Sequence, residues 1–273
     1  MDIARPLRVV LGIDAAWTAH NPSGVALAVE ASGGWRLAAL APSYSAFEAL
    51  GGASGEGGAP HARRLLVAAR RLAGRPVDLV AVDMPLARST IIGRRPSDIG
   101  ISKAYGARKA STHSPSEVRP GRISDELRAG FETEGYRLAT EAFIGPALIE
   151  VYPHPALIEF LGERYRLEYK AGKTLTYWPK LAAAERRERL LEVWRTLLAA
   201  LETRIAGVQA ALPLPAPEIV GAKLKALEDQ LDAVICAAVG IAVLNGEARA
   251  IGDADSAIWV PLPKTIDSAA FPQ

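Results

Sequence analysis

Two runs of β-branched and aliphatic residues each stop at an aspartate, and they constrain the fold more than any other feature. Leu7-Arg-Val-Val-Leu-Gly-Ile-Asp14 and Val77-Asp-Leu-Val-Ala-Val-Asp83 both read as buried central strands with a carboxylate at the carboxyl end. Between them, His61–Ala73 carries Leu65, Leu66, Ala69 and Leu72 at helical spacing, with Gly74 placed to end the helix. A strand, helix, strand order implies a parallel pair, so both aspartates are expected in one crevice beyond the strand ends.

The rest of the chain fits an α/β domain. Ser23–Glu30 and Trp35–Leu40 are two short strands around a Gly33-Gly34 turn, which predicts an antiparallel meander with the first strand. Ser43–Pro60 reads as a loop with a short helical piece at Ala46–Leu50. Arg122–Tyr136 is a helix, Ala147–Tyr152 a strand and Pro155–Leu161 a short helix. Lys180–Ile205 is a long amphipathic helix, with Leu190, Trp194, Leu197 and Leu201 on one stripe. Leu212–Pro217 is a connector, Lys223–Leu244 the last long helix and Ala257–Val260 a late edge strand before a loose tail. With no internal repeat and no long linker, residues 1–273 read as one domain. It carries an irregular basic insertion at about 88–128, where nine basic residues face four acidic ones.

Composition excludes several classes. The formal charge is only +2, with 32 basic and 30 acidic residues, so any nucleic-acid-binding surface must be local. The single cysteine, Cys236, excludes an internal disulfide and fits a reducing, cytoplasmic compartment. The amino terminus lacks the layout of a signal peptide, and the longest apolar stretch, Ala233–Leu244, is too short to span a bilayer. The oligomeric state is open, a homodimer included.

A third source of carboxylates is Glu228-Asp-Gln-Leu-Asp232 on the last helix, where Asp229 and Asp232 are three apart and share part of one face. Converging carboxylates raise one another's pKa unless a cation sits among them, and hard oxygen ligands suit Mg2+ or Mn2+. The expected catalytic set is Asp14, Asp83, Asp229 and Asp232, with Asp14, Asp83, Asp232 and Glu150 as metal ligands. Each acid has a plainer reading, as a helix cap, a dipole partner or an arginine partner. Around them, Trp17 can stack on a base. Arg88, Lys103, Arg108 and Lys109 can meet phosphates, and His113 and His154 can face the crevice. For these residues packing, a solvated loop and a structural turn are the competing readings. Cys236, among apolar neighbours, reads as buried and inert.

The succession Gly12-Ile-Asp14, Val80-Ala-Val-Asp83 and Asp229-Gln-Leu-Asp232-Ala233 resembles the ribonuclease H-like superfamily, in particular its crossover-junction resolvase branch. More closely, the chain is similar to domain-of-unknown-function family 429, described as predicted ribonuclease H-like nucleases. The residues that carry this likeness are Gly12-Ile-Asp-Ala-Ala-Trp17, Val82-Asp-Met-Pro-Leu86, Glu150-Val-Tyr-Pro-His154, Asp229 to Ala233 and Ile258-Trp-Val-Pro261. The resemblance implies a three-layer fold whose mixed five-stranded sheet, in the order 3-2-1-4-5, has helices on both faces. It also implies metal-dependent cleavage of phosphodiester bonds in DNA or RNA. Two departures stand out: Asp83 replaces the resolvase glutamate, and Asp98–Ser116 echoes the family's stretch after the fourth strand only loosely. The alternatives are a non-catalytic nucleic-acid-binding module on the same fold and a phosphotransferase of the actin or sugar-kinase kind. The latter is disfavoured by Asp14-Ala-Ala-Trp-Thr18, which has no phosphate-cradling glycine before Gly24.

Overall fold

The aspartate-terminated runs do form adjacent strands. In the computed structural model, which describes residues 7–18, 21–52 and 61–263, β1 (Val9–Asp14) pairs antiparallel with β2 (Gly24–Ala31), and β2 pairs antiparallel with β3 (Gly34–Ala41). The hairpin needs its glycine: Gly34 has φ +117, a region costly for a side chain with Cβ. Next come α1 (Tyr44–Leu50), α2 (Ala62–Ala73) and β4 (Leu79–Asp83). Ser43 opens α1, because its Oγ accepts from the Ala46 amide at 3.1 Å, so this stretch is more helical than the expected loop. Residues 53–60 of that loop, and the tail from 264, lie outside the described residues.

The segment expected to be irregular holds a helix, α3 (Pro96–Tyr105), started by proline at its first position. Then follow α4 (Arg122–Thr133), β5 (Arg137–Leu138), β6 (Ala147–Val151) and α5 (Pro153–Leu161). After them come α6 (Thr174–Tyr177), α7 (Ala183–Glu202), α8 (Val208–Ala211), α9 (Gly221–Leu244), β7 (Ala248–Gly252) and β8 (Ala257–Pro261).

The sheet is mixed and larger than the five strands expected, and its order differs from 3-2-1-4-5. Eight strands run β3-β2-β1-β4-β6-β8-β7, with the two-residue β5 paired to β6 beside that path. β4 is parallel to β1 and to β6, and β8 is parallel to β6. The late strand β8 is therefore interior rather than an edge, because the chain turns back and pairs β7 antiparallel on its far side. Ala248–Gly252 escaped the sequence reading since its half-exposed Ala-Arg-Ala-Ile-Gly pattern has no strong alternation.

Alternation along the strands sends side chains into two large cores, with a small third one in which Ile258 and Val260 of β8 meet Ile101 and Ile158. Val9, Leu11, Ile13, Val80 and Val82 pack with Phe47, Leu65, Leu127 and Phe131 from α1, α2 and α4. Val10, Leu79, Ala81 and Ile149 pack with Leu157, Trp194, Leu201, Leu231 and Val234 from α5, α7 and α9. Each fully buried leucine contributes roughly 1.5–3 kcal/mol relative to exposure.

α9 lies unusually low on the sheet. A Cβ on Gly12 would overlap the Ala233 carbonyl, one on Gly24 would overlap the Asp229 carbonyl, and one on Gly240 would sit 2.6 Å from Val10. Glycine at these points is what lets the helix backbone reach the strands. Among the described residues, no helix is long and apolar enough to cross a membrane.

A candidate metal centre

Asp14 and Asp83 face each other in register at the ends of parallel β1 and β4. Their parity matches Val10 and Leu79, so both project toward α9. The glycine-mediated contact brings Asp229 and Asp232 down over them. Carboxylate oxygens of Asp14, Asp229 and Asp232 lie within 4.8 Å of one another. Asp83 stands beside this group rather than in it, close enough to raise the Asp14 pKa. Burial first, then the charges of Asp232 and Asp83, holds Asp14 well above the usual carboxylate range. Burial and Asp232 likewise push Asp83 up to about 7.

Two lysines answer part of this charge. Lys170 Nζ pairs with Asp232 and lies 3.6 Å from Glu228 Oε1. Lys225 Nζ pairs with Asp229 and lies 3.1 Å from the same Glu228 oxygen. Burial works against the charge on Lys170, but Asp232, Tyr169, Glu228 and Asp14 outweigh it and hold its pKa well above the ordinary value. The Tyr169 hydroxyl donates to Asp232 Oδ1 at 2.6 Å, and the Ala171 amide donates to Glu228 Oε2 at 2.6 Å.

The donor set suits a hard divalent cation. It is all carboxylate oxygen, and neither the Asp14 nor the Asp83 side chain accepts a hydrogen bond among the described residues. Cys236 is buried nearby with its thiol pKa raised by that burial, so it offers no soft ligand.

Glu150, expected as a further ligand, is not brought into the group. It pairs in register with Val82, one residue short of Asp83, and so has the opposite parity. Arg95 donates to it at 2.5 and 2.8 Å and the Leu86 amide at 2.7 Å. Arg95 also donates to Asp98 at 2.9 and 3.0 Å, so the arrangement is a closed buried ion triad.

Two cavities meet at Asp83, Trp17 and His113. The wider, about 650 Å³, follows Asp14, Asp229, Lys225 and Arg119. The smaller, about 190 Å³, is walled by Tyr152, His154, Tyr169 and Lys170. Trp17 borders both, held by a loop whose Ala16 amide donates to Ser23 Oγ at 3.0 Å, with Arg119 over its ring at 5.9 Å. His154 stacks edge-on to Tyr152 and Tyr169, and burial with Lys170 nearby keeps its imidazole neutral.

The basic residues expected to meet phosphate lie elsewhere. Arg88 is exposed beside Glu132 and Leu138, away from the carboxylates. Lys103 is exposed in the last turn of α3 and borders neither cavity. Arg108 is committed to Glu159 at 2.6 Å and to the Glu163 carbonyl at 2.6 Å, and Lys109 lies over the Tyr165 ring. Among the described residues, the cations that line the two cavities are Lys170, Lys225, Arg119 and Arg95, the last committed to its own triad. Lys225 was recoverable from its i,i+3 and i,i+4 spacing to Glu228 and Asp229. Lys170 and Tyr169, 62 and 63 residues before Asp232, carried no local signal.

No curated protein and no solved structure matches the chain. A family described as protein of unknown function (DUF429) matches residues 12–257, from the glycine under α9 to the first residue of β8. By that match over most of its length, the chain belongs to the DUF429 family.

Proposed function

We propose that this protein is a Mg2+- or Mn2+-dependent nuclease of ribonuclease H-like type that hydrolyses phosphodiester bonds of DNA or RNA. The observation that carries this reading is the convergence of Asp14, Asp229 and Asp232 on one point, beside an in-register Asp83 whose carboxylate has no donor. The antiparallel β3-β2-β1 followed by parallel β4 and β6 supports the fold assignment.

Asp14 and Asp229 would hold the ion, with Asp83 beside them, and the ion when bound supplies Lewis acidity to a phosphodiester. Lys225 and Arg119, along the wider cavity, would draw the strand's negative charge toward the carboxylates. Trp17 offers a flat ring between the two cavities on which a base can stack.

The test is cleavage of single-stranded, duplex, hybrid and junction substrates with Mg2+ or Mn2+. Expected is metal-dependent cutting that Asp14→Ala and Asp232→Ala abolish; no cutting above those variants ends the proposal. One observation favours a second reading, a nucleic-acid-binding module without turnover: Lys170 and Lys225 already balance part of the cluster. Metal-independent binding of DNA or RNA, weakened by Arg119→Ala and accompanied by no cleavage, would support it.

A further inference from the structure

Within the acidic cluster the cationic partners are unevenly shared. Asp232 has no exposed surface and both of its oxygens are taken, Oδ1 by the Tyr169 hydroxyl and Oδ2 by Lys170 Nζ. Asp229 gives one oxygen to Lys225, and no donor reaches its other oxygen among the described residues. Asp14 and Asp83 accept nothing there. The cation lodged between Asp232 and Glu228 is thus a well-buried ammonium, while Asp14 and Asp83 have no cation paired to them among the described residues and Asp229 has only the half-exposed Lys225.

Lys170 is held at its post from both sides. The preceding residue, Tyr169, is fully buried, its carbonyl accepting from Trp194 Nε1 at 2.8 Å and its hydroxyl bound to Asp232. The following residue, Ala171, is tied by its amide to Glu228. The Lys170 side chain is 22% exposed, against 53% for Lys225, so it has less room to swing into solvent. An ammonium so placed compensates charge but cannot polarise a phosphoryl oxygen as a divalent ion does.

We propose that Lys170 permanently fills one of two cation positions in this centre, so that the protein takes a single divalent ion, held by Asp14 and the free oxygen of Asp229 with Asp83 alongside. This rests on the metal-dependent reading above. It makes Lys170 a positioning residue and replaces the two-ion arrangement, in which carboxylates clamp a pair of ions roughly 4 Å apart, by one ion and one side chain.

The experiment counts Mn2+ bound to the full chain by equilibrium dialysis, with the electron paramagnetic resonance spectrum of the bound ion as a second readout. Wild type should bind one Mn2+. Lys170→Met should bind two, with the dipolar broadening of a close ion pair, and Lys170→Arg, which keeps the charge, should return to one. Two ions in the wild type, or any count but two in Lys170→Met, overturns the lysine's role while leaving the metal-dependent reading standing. No ion in the wild type removes both together. Should Lys170→Met fail to fold, Lys170→Gln, which retains a donor to Asp232, carries the same comparison.

Discussion

Two groups of buried acids sit at the carboxyl ends of the same sheet, and they are built in opposite ways. Around Arg95, Glu150 and Asp98 receive six hydrogen bonds, four from one guanidinium and two from backbone amides, and no oxygen is left without a donor. Arg95 is 5% exposed, and its remaining reach goes to the Leu86 carbonyl at 2.7 Å. Around Asp14, several carboxylates converge on two lysines, and Asp14 and Asp83 are left with neighbouring negative charge instead of donors. The first group is closed and fastens α3 to β6. The second keeps an unmet demand for positive charge, which is the property a ligand site has and a structural ion pair lacks.

Breaking the closed group should have the largest effect. Arg95→Met strands two buried carboxylates, and chemical denaturation should show a loss of about 3–5 kcal/mol. An unchanged unfolding midpoint would mean that the triad does not hold the fold. The open group should respond oppositely, gaining stability from added cation. Mn2+ at 100 times its Kd should stabilise by about 2.7 kcal/mol, read as a rise in Tm.

That gain should depend on pH with a defined sign. Asp83 titrates at about 7 in the folded chain and near the ordinary carboxylate value of roughly 3.9 when unfolded. The folded state therefore holds an extra proton between those values. Without metal, stability should fall as pH rises through that window, and Mn2+ should restore more at pH 8 than at pH 5 because it no longer competes with the proton. Asp83→Asn should flatten the metal-free slope. A slope unchanged in that variant would place the titration elsewhere.

A smaller change sharpens the contrast without touching any charge. Gly12→Ala should force α9 off β1 and cost about 1–3 kcal/mol. It should weaken Mn2+ binding, while the exchange rate of the Arg95 guanidinium protons, closed into their triad with Glu150 and Asp98, should stay unchanged. Equal disturbance of both groups would show that α9 does not set the acid site independently.

Much of the fold was legible because it rests on local pattern. The Leu7–Asp14 and Val77–Asp83 runs, the glycine turn and the α7 stripe each carry their periodicity within a few residues. The β5 and β7 strands were not, since two residues and a half-exposed strand carry too little alternation to be read, and without β7 the late strand at Ala257–Val260 reads as an edge. The acids that converge, Asp14, Asp229 and Asp232, and Asp83 beside them stood out in the sequence by position at strand ends and by helix spacing. Glu150 misled because a strand-end acid looks the same whichever face its parity gives it.

The amino-acid order by itself therefore determined the α/β class, the parallel aspartate-ended strands and the acidic turn of α9, because all of these follow from hydrophobic period and backbone propensity. Only the tertiary structure decided which acids are compensated. That outcome depends on contacts made across the chain, Arg95 to Glu150 and Lys170 to Asp232, and on glycines that let a helix descend onto a sheet. A charge's partner is a matter of distance in space, and no spacing along the chain records it.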